Sequence, residues 1–189
     1  METKNIMIVG VGGQGTLLTS RILGGIALHA KYDVKLSEVH GMAQRGGSVV
    51  TYVRYGDKVA EPIVEKGQAD VLIAFERLEA KRYAHFLKKD GVIVVNDQRM
   101  DPITVVTGAA EYPEGIIEEL SEKYKVYSVD AMAEAKKLGN AKVFNIIVLG
   151  VAAQHMNYTK EDWLEVIEKT VPPKTIEINK KAFEVGYNL

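Results

Sequence analysis

The feature that most constrains the fold of this sequence is a glycine-rich turn between an apolar strand and a helix. Residues 6–9 form a short apolar run, and the turn follows at once as Gly10-Val11-Gly12-Gly13-Gln14-Gly15. From Thr16 onward, apolar residues recur with helical spacing. A strand, a tight glycine turn and a helix in this order are typical of the first unit of an α/β domain.

The rest of the chain alternates between predicted strands and predicted helices. Strands are predicted near residues 34–39, 48–55, 71–75, 92–95, 103–107 and 126–129, and helices near 76–88, 131–138, 142–156, 161–169 and 175–185. Gly56-Asp57 is a turn signal, so residues 58–61 are expected to return as a hairpin arm. Thr159 with Asp162 predicts a capping box, and Gly186 is expected to end the last helix. We therefore expect an α/β, Rossmann-like three-layer domain with a largely parallel sheet, one hairpin and a helical C-terminal region.

The composition limits what the chain can do alone. The 189 residues suit one domain, and 24 basic against 25 acidic residues give a net charge of -1. Such a charge supplies no broad field for nucleic acid or for an anionic membrane, and we expect neither as a partner. The sequence has no cysteine, so it cannot hold a cysteine-ligated iron–sulfur cluster or use a catalytic thiol. The polar start predicts no secretory signal, and we expect a cytoplasmic protein.

The glycine turn is the first candidate binding site. Glycines there let the backbone approach a phosphate, and the following helix dipole favours an anion. Glu38, near the end of the second predicted strand, lies where an acid would hold the ribose of NAD. Alternatively, the glycines only permit a close turn from strand to helix. The candidate residues are Gly10, Gly12, Gly13, Gln14, Gly15 and Glu38.

A second glycine-rich cluster replaces the helix expected between the second and third strands. Polar loops of this kind carry function more often than packing. Arg45 is able to present its guanidinium to a phosphate or carboxylate, while the flanking glycines let backbone amides approach the same group. Alternatively, Arg45 pairs with Glu38 or another acid and only pins the loop. His40 suits a subunit junction or loop packing equally. The candidates here are His40, Gln44, Arg45, Gly46, Gly47 and Ser48, and no histidine has metal-ligand spacing.

Several stretches together resemble the gamma subunit or domain of 2-oxoacid:ferredoxin oxidoreductases. They are GVGGQG at 10–15, HGMAQRGGSV at 40–49, ADVLIAFE at 69–76, DGVIVVND at 90–97, FNIIVLG at 144–150 and NKKAFEVGY at 179–187. The likeness spans nearly the whole chain and implies one pyruvate/ketoisovalerate oxidoreductase gamma-type domain over residues 1–189. The fuller HGMAQRGGSV is similar to the indolepyruvate branch, in which this is the small subunit.

The resemblance implies a reaction for the complex and not for this chain alone. A 2-oxoacid such as indolepyruvate would be decarboxylated with coenzyme A, giving an acyl-CoA, carbon dioxide and reduced ferredoxin. Thiamine diphosphate, magnesium and iron–sulfur clusters would belong to a large partner subunit, with ferredoxin meeting the complex. The sequence has no GDG followed by Asn-Asn for a thiamine diphosphate metal, and no catalytic residue is carried over onto this chain.

Two other functions remain open on the residues alone. One is an autonomous NAD(P)-binding Rossmann enzyme, although 189 residues leave no second region for a substrate site. The other is a free-standing regulatory module that binds a nucleotide. Dependence on a partner separates both of these functions from the subunit hypothesis, because only a subunit requires a larger, cysteine-rich chain in fixed ratio.

Overall fold

The computed structural model describes residues 2–40 and 47–189, and for His40 the backbone alone. One sheet of six strands forms its centre, in the order β2-β3-β1-β4-β5-β6. Strand β3 runs antiparallel to β1 and β2, whereas β1, β4, β5 and β6 pair in parallel. The strands are β1 Lys4–Val11, β2 Asp33–His40, β3 Ser48–Gly56, β4 Ala69–Ala74, β5 Leu87–Asn96 and β6 Lys125–Val129.

Helices cover both faces of the sheet because successive strand residues point to opposite sides. The helices are α1 Thr16–His29, α2 Arg77–Tyr83, α3 Ile103–Val106, α4 Ile116–Ser121, α5 Ala131–Lys137, α6 Phe144–Ala153, α7 Lys160–Thr170 and α8 Ile176–Tyr187. Ile6 and Ile8 of β1 face a core formed with α1, α5, α6, α7 and α8, while Met7 and Val9 face a core formed with α2, α3 and α4. The expected three-layer α/β fold is therefore confirmed.

The hairpin arm predicted for residues 58–61 is wrong. The segment from Asp57 to Gln68 forms bends and turns, and the antiparallel pair is β2 with β3. Side chains replace the expected ladder: the Arg54 guanidinium donates to the carbonyl of Ile63 over 2.9 Å, and the Val59 amide donates to Asp33 over 2.9 Å. Each of these bonds satisfies one backbone group of the segment without a strand.

Residues 103–107, predicted as a strand, instead contain the single helical turn α3. The β-branched residues suggested a strand, but Pro102 precedes them and its carbonyl accepts from the amides of Val105 and Val106. Local hydrogen bonding therefore outweighs β propensity here. The capping box of Thr159 and Asp162 at the start of α7 is confirmed.

Helices α6 and α8 cross at two glycines. All ten residues of α6 are buried, and Gly150 in α6 faces the carbonyl of Phe183 so closely that a β-carbon would clash with it. Gly186 likewise lies against the carbonyl of Ile147. The prediction that Gly186 ends the last helix is wrong, because α8 continues to Tyr187. Gly186 serves close helix packing, not termination.

We expect Gly186→Ala to destabilise the domain by about 2 kcal/mol or more, because the methyl group would meet backbone that cannot move alone. Gly24→Ala is the matched control inside α1, since its methyl group would meet side chains and no backbone: the flexible tip of Leu36 at 3.2 Å and Val34 at 3.8 Å. That control should be neutral, or stabilising by up to about 1 kcal/mol through helix propensity. Urea unfolding of both variants measures the difference, and equal effects would contradict the close crossing.

Candidate functional site

The glycine turn joins the carboxyl end of β1 to α1, and its glycines have separate roles. Gly13 and Gly15 have φ values of 100° and 90°, which side chains rarely adopt. A β-carbon on Gly10 would lie 2.8 Å from the Gln14 side chain and 3.3 Å from Phe75. One on Gly15 would clash with the Asn145 amide, which donates to the Gly15 carbonyl over 3.4 Å. The turn thus depends on glycine for both conformation and space.

Gln14 belongs to the frame of the turn. Its side chain is buried, its Oε1 accepts from the Val11 amide over 2.7 Å, and its Nε2 donates to the Phe75 carbonyl over 3.1 Å. The first bond closes the turn on itself, and the second ties it to the chain that leaves β4. We therefore assign Gln14 a supporting position, behind the surface that a ligand would reach.

Asn96, at the end of β5, continues this network and was missed by the sequence analysis. It is fully buried, its Nδ2 donates to the Phe75 carbonyl over 3.2 Å, and its Oδ1 accepts from the Ala131 amide over 3.1 Å. It also donates to Gln98, which receives a 3.4 Å contact from Gln14. An asparagine that directly ends a buried strand was the available signal, but its partners are distant in sequence.

Glu38 lies beside the glycine turn. Its Oε2 accepts from Thr51 over 3.1 Å and from Thr16, the first residue of α1, over 3.4 Å. A cavity of about 370 Å³ brings it together with the turn and is lined by Gly12, Gly13, Gly15, Thr16, Leu17, Glu38 and Val49. The structure therefore groups Glu38, Gly12, Gly13 and Gly15 at one surface, as the two sequence motifs suggested.

The strand order differs from that of an NAD-binding domain. In such domains the ribose-binding acid ends a strand adjacent to β1. Here the antiparallel β3 separates β2 from β1, and Glu38 pairs with Thr51 of β3 instead of lying on a strand next to β1. The geometric basis for the NAD hypothesis is therefore missing, although the cavity remains suited to a small polar group.

The second glycine cluster is described only at its end. Gln44, Arg45 and Gly46 lie outside the described residues, as does the side chain of His40. Gly47 and Ser48 are described: the Gly47 carbonyl accepts from the Gly12 amide over 2.8 Å, and the Ser48 hydroxyl donates to Glu79 over 2.5 Å. The chain that leaves the cluster is thus fixed both to the glycine turn and to α2.

Two buried acids occupy the start of α2. Glu76 caps the helix by accepting from the Glu79 amide over 2.9 Å, and its other oxygen accepts from Tyr112 and from the Met100 amide. Burial raises the pKa of the Glu79 carboxyl, and the Glu76 carboxylate adds to that shift. Burial also raises the pKa of the Tyr112 hydroxyl, with the bond to Glu76 as the next cause. These acids belong to the frame of the sheet edge.

A second cavity, of about 410 Å³, lies at the opposite end of the strands, near the start of β1. Its charged groups are largely paired with one another, since Lys4 and Lys88 both contact the same oxygen of Asp70. His155 and Tyr158 also line this cavity, but the ring nitrogen His155 Nε2 and the Tyr158 hydroxyl are themselves buried from solvent. Size alone therefore does not make this cavity the better candidate.

Residues 2–40 and 47–189 contain no group of three metal-ligating side chains. Within the same residues, no helix combines the length and apolarity needed to cross a membrane. The described site consists of backbone amides, the Glu38 carboxylate with the hydroxyls of Thr16 and Thr51, and a buried amide network.

The sequence profile of the family described as pyruvate ferredoxin/flavodoxin oxidoreductase matches residues 5–189. The chain belongs to this family. Indolepyruvate oxidoreductase subunit IorB of Thermococcus kodakarensis is 42% identical over 194 residues, which cover 98% of this chain and 95% of that protein. The resemblance noted in the sequence is confirmed, and the likeness extends over nearly the full length of both proteins.

Solved structures of the family have the same fold. The gamma subunit of a keto/oxoacid ferredoxin oxidoreductase from Geobacter sulfurreducens is 25% identical with a TM-score of 0.73, covering 98% of this chain and 96% of that one. A 2-oxoglutarate:ferredoxin oxidoreductase from Magnetococcus marinus, solved with 2-oxoglutarate, coenzyme A and succinyl-CoA bound, has a TM-score of 0.70 at 19% identity. This chain matches 31% of that longer chain, so the family fold also occurs within a longer polypeptide.

We expect Asn96→Ala to destabilise the domain by about 2–3 kcal/mol, because it leaves the buried Ala131 amide without its acceptor. Gln98→Ala removes a half-buried neighbouring side chain but no hydrogen bond to the backbone. It should therefore lower the free energy of unfolding by less than half as much. Thermal unfolding of the two variants measures the contrast. An Asn96→Ala variant as stable as the Gln98→Ala variant would show that the network does not hold the sheet edge.

Proposed function

We propose that this chain is the small subunit of an indolepyruvate-type 2-oxoacid:ferredoxin oxidoreductase. The complex would convert an arylpyruvate and coenzyme A into an aryl-acetyl-CoA and carbon dioxide while reducing ferredoxin. The observation that carries the proposal is the 42% identity to an indolepyruvate oxidoreductase subunit over almost the entire chain. Residues 1–189 would act as one gamma-type domain of this cytoplasmic heteromer.

The electron-transfer and decarboxylation chemistry belongs, in this proposal, to a large partner subunit. That subunit would hold thiamine diphosphate with magnesium and the iron–sulfur clusters, and ferredoxin would dock on the complex. The residues of this chain do not fit a cysteine-ligated cluster, since its sequence contains no cysteine. The chain contributes no catalytic residue.

The contribution of this chain would be to hold coenzyme A at the glycine turn. Backbone amides and the N-terminal end of α1 would face a phosphate, and Glu38 would accept hydrogen bonds from hydroxyl or amino groups of the nucleotide. The second cluster would add Arg45 as a bidentate anion contact. The proposed binding set is Gly10, Gly12, Gly13, Gln14, Gly15, Glu38, His40, Gln44, Arg45, Gly46, Gly47 and Ser48. Within it, Gly10, Gln14 and Ser48 would support the surface from behind.

The first test is dependence on a partner. The purified chain alone should show no cluster absorbance and no oxidation of indolepyruvate with ferredoxin or a dye. Activity should appear when the large subunit from the same source is added in fixed ratio, and NAD should bind neither preparation in calorimetry. Turnover by the lone chain would refute the subunit assignment. NAD binding that Glu38→Ala abolishes would favour an autonomous dehydrogenase instead.

The second test concerns Arg45. Removing a surface loop ion pair changes stability by less than about 1 kcal/mol, so Arg45→Ala should leave the melting temperature of the isolated chain nearly unchanged. Loss of a charged contact buried at a ligand or subunit junction should weaken binding about 30-fold or more. Titrating the complex separately with desulfo-coenzyme A, an unreactive analogue, and with the large subunit would show which contact is lost.

Arg99→Ala is the matched control for Arg45. Arg99 is a half-exposed arginine that pairs with Asp101 over 2.6 Å and lies outside the proposed binding set. Its removal should change neither titration. Full affinity of Arg45→Ala for both components would remove Arg45 from the site, and a large loss of melting temperature would support a purely structural role.

A further inference from the structure

A buried carboxylate holds the first residue of β3. The Ser48 hydroxyl donates to Glu79 Oε2 over 2.5 Å and lies 3.4 Å from the Tyr83 hydroxyl. Glu79 is 4% exposed, so water contributes little to its solvation. A hydroxyl that donates to an ionised carboxylate forms one of the stronger hydrogen bonds available to a side chain. The start of β3 is therefore fixed to α2.

The same short stretch of β3 also forms a wall of the glycine-turn cavity. Because side chains alternate across the sheet, Ser48 points towards α2 while Val49 lines the cavity beside Glu38 on the other face. One residue earlier, the Gly47 carbonyl accepts from the Gly12 amide of the turn. A shift of Ser48 would therefore move both the cavity wall and a hydrogen bond of the glycine turn.

We propose that Glu79 is a positioning residue for ligand binding at the glycine turn, acting through Ser48 in its ionised form. The inference rests on the proposed coenzyme A site and adds to it a residue on the far face of the sheet, outside the binding set. Glu79 touches no part of the cavity. Its carboxylate sets the position of β3, and β3 in turn presents Gly47 and Val49 to the ligand.

The charges around Glu79 make this anchor sensitive to protonation. Among the described residues, Arg82 lies 3.5 Å from Glu79 Oε1, Glu76 precedes it on the same helix, and Tyr83 and Tyr52 are the nearby hydroxyls. Burial raises the pKa of Glu79 above its ordinary value of 4.5, Glu76 raises it further, and Ser48 and Arg82 oppose the shift. Burial and Glu76 thus disfavour the ionised form of Glu79, whereas Ser48 and Arg82 favour it.

Stability and binding should respond to this charge in opposite directions. A carboxyl with a raised folded pKa contributes stability that is present below its ordinary pKa and is lost as pH rises through the raised value. Glu79→Gln replaces the ionisable carboxyl with a neutral amide, so stability is no longer lost as the pH rises. The melting temperature of the isolated chain at neutral pH should therefore be unchanged or higher. The neutral amide accepts the Ser48 hydrogen bond more weakly, so ligand binding should become weaker.

The experiment measures the dissociation constant of desulfo-coenzyme A for the complex of this chain with its large subunit. At about pH 8, Glu79→Gln should raise that constant about fivefold, the difference between a charged and a neutral acceptor. The ratio of the variant's dissociation constant to that of the wild type should approach one as the pH falls and wild-type Glu79 becomes protonated. Taking the ratio cancels the titration of the ligand phosphates, which is common to both proteins.

Two further variants test the route through Ser48. Ser48→Ala should weaken binding as much as Glu79→Gln, and the double variant should be no weaker than either single one, because both remove the same bond. Tyr83→Phe is the matched control, since it removes only the long contact to Ser48, and it should bind like the wild type.

Each result decides the inference. The inference is supported if the ratio of dissociation constants, Glu79→Gln over wild type, rises with pH while the melting temperature is not lowered. It also requires that the effects of the Ser48 and Glu79 substitutions on binding are not additive. Wild-type affinity in Glu79→Gln overturns it, as does a pH-independent loss accompanied by a lower melting temperature, which would indicate a purely structural role. If the wild-type complex does not bind desulfo-coenzyme A, the proposed site itself fails and the inference with it.

Discussion

The geometry of the candidate site depends on a small network of buried amides at the carboxyl edge of the sheet. The Phe75 carbonyl accepts from both Gln14 and Asn96, and Asn96 in turn accepts from the first residue of α5. Such bonds are costly to leave unmade in a buried position. They join the ends of β1, β4 and β5 and the start of α5 at the edge that carries the glycine turn.

Close helix packing supports that edge from one face of the sheet. The glycines of α6 and α8 let the two helices approach until backbone touches backbone, and α6 then presents Asn145 to Gly15 of the turn. Interiors packed at this density transmit small displacements. The helical C-terminal region thus belongs to the architecture of the site, even though the site residues come from the first third of the chain.

The described part of the chain offers groups that can shape and line a binding surface. Its polar groups at the glycine turn are backbone amides and the Glu38 carboxylate, and the nearby buried acids are engaged with Ser48, Tyr112 and backbone amides. Cysteine is absent from the sequence. These residues are compatible with the proposed division of labour, in which a partner subunit would supply the redox centres and this chain would position a nucleotide-bearing cosubstrate.

The sequence by itself determined the α/β class, the alternation of strands and helices, the capping box of α7 and the family, because these depend on local periodicity, local hydrogen bonds and motif order. It also indicated Glu38 and the glycine turn. Only the tertiary structure decided that β3 lies between β1 and β2, that Gly186 packs against α6, and that Gln14, Asn96 and Glu79 form the frame of the site. Those facts rest on hydrogen bonds and contacts between residues 21 to 84 positions apart, or on strand pairing. No local pattern encodes them, since burial and partner choice arise only when the chain has folded.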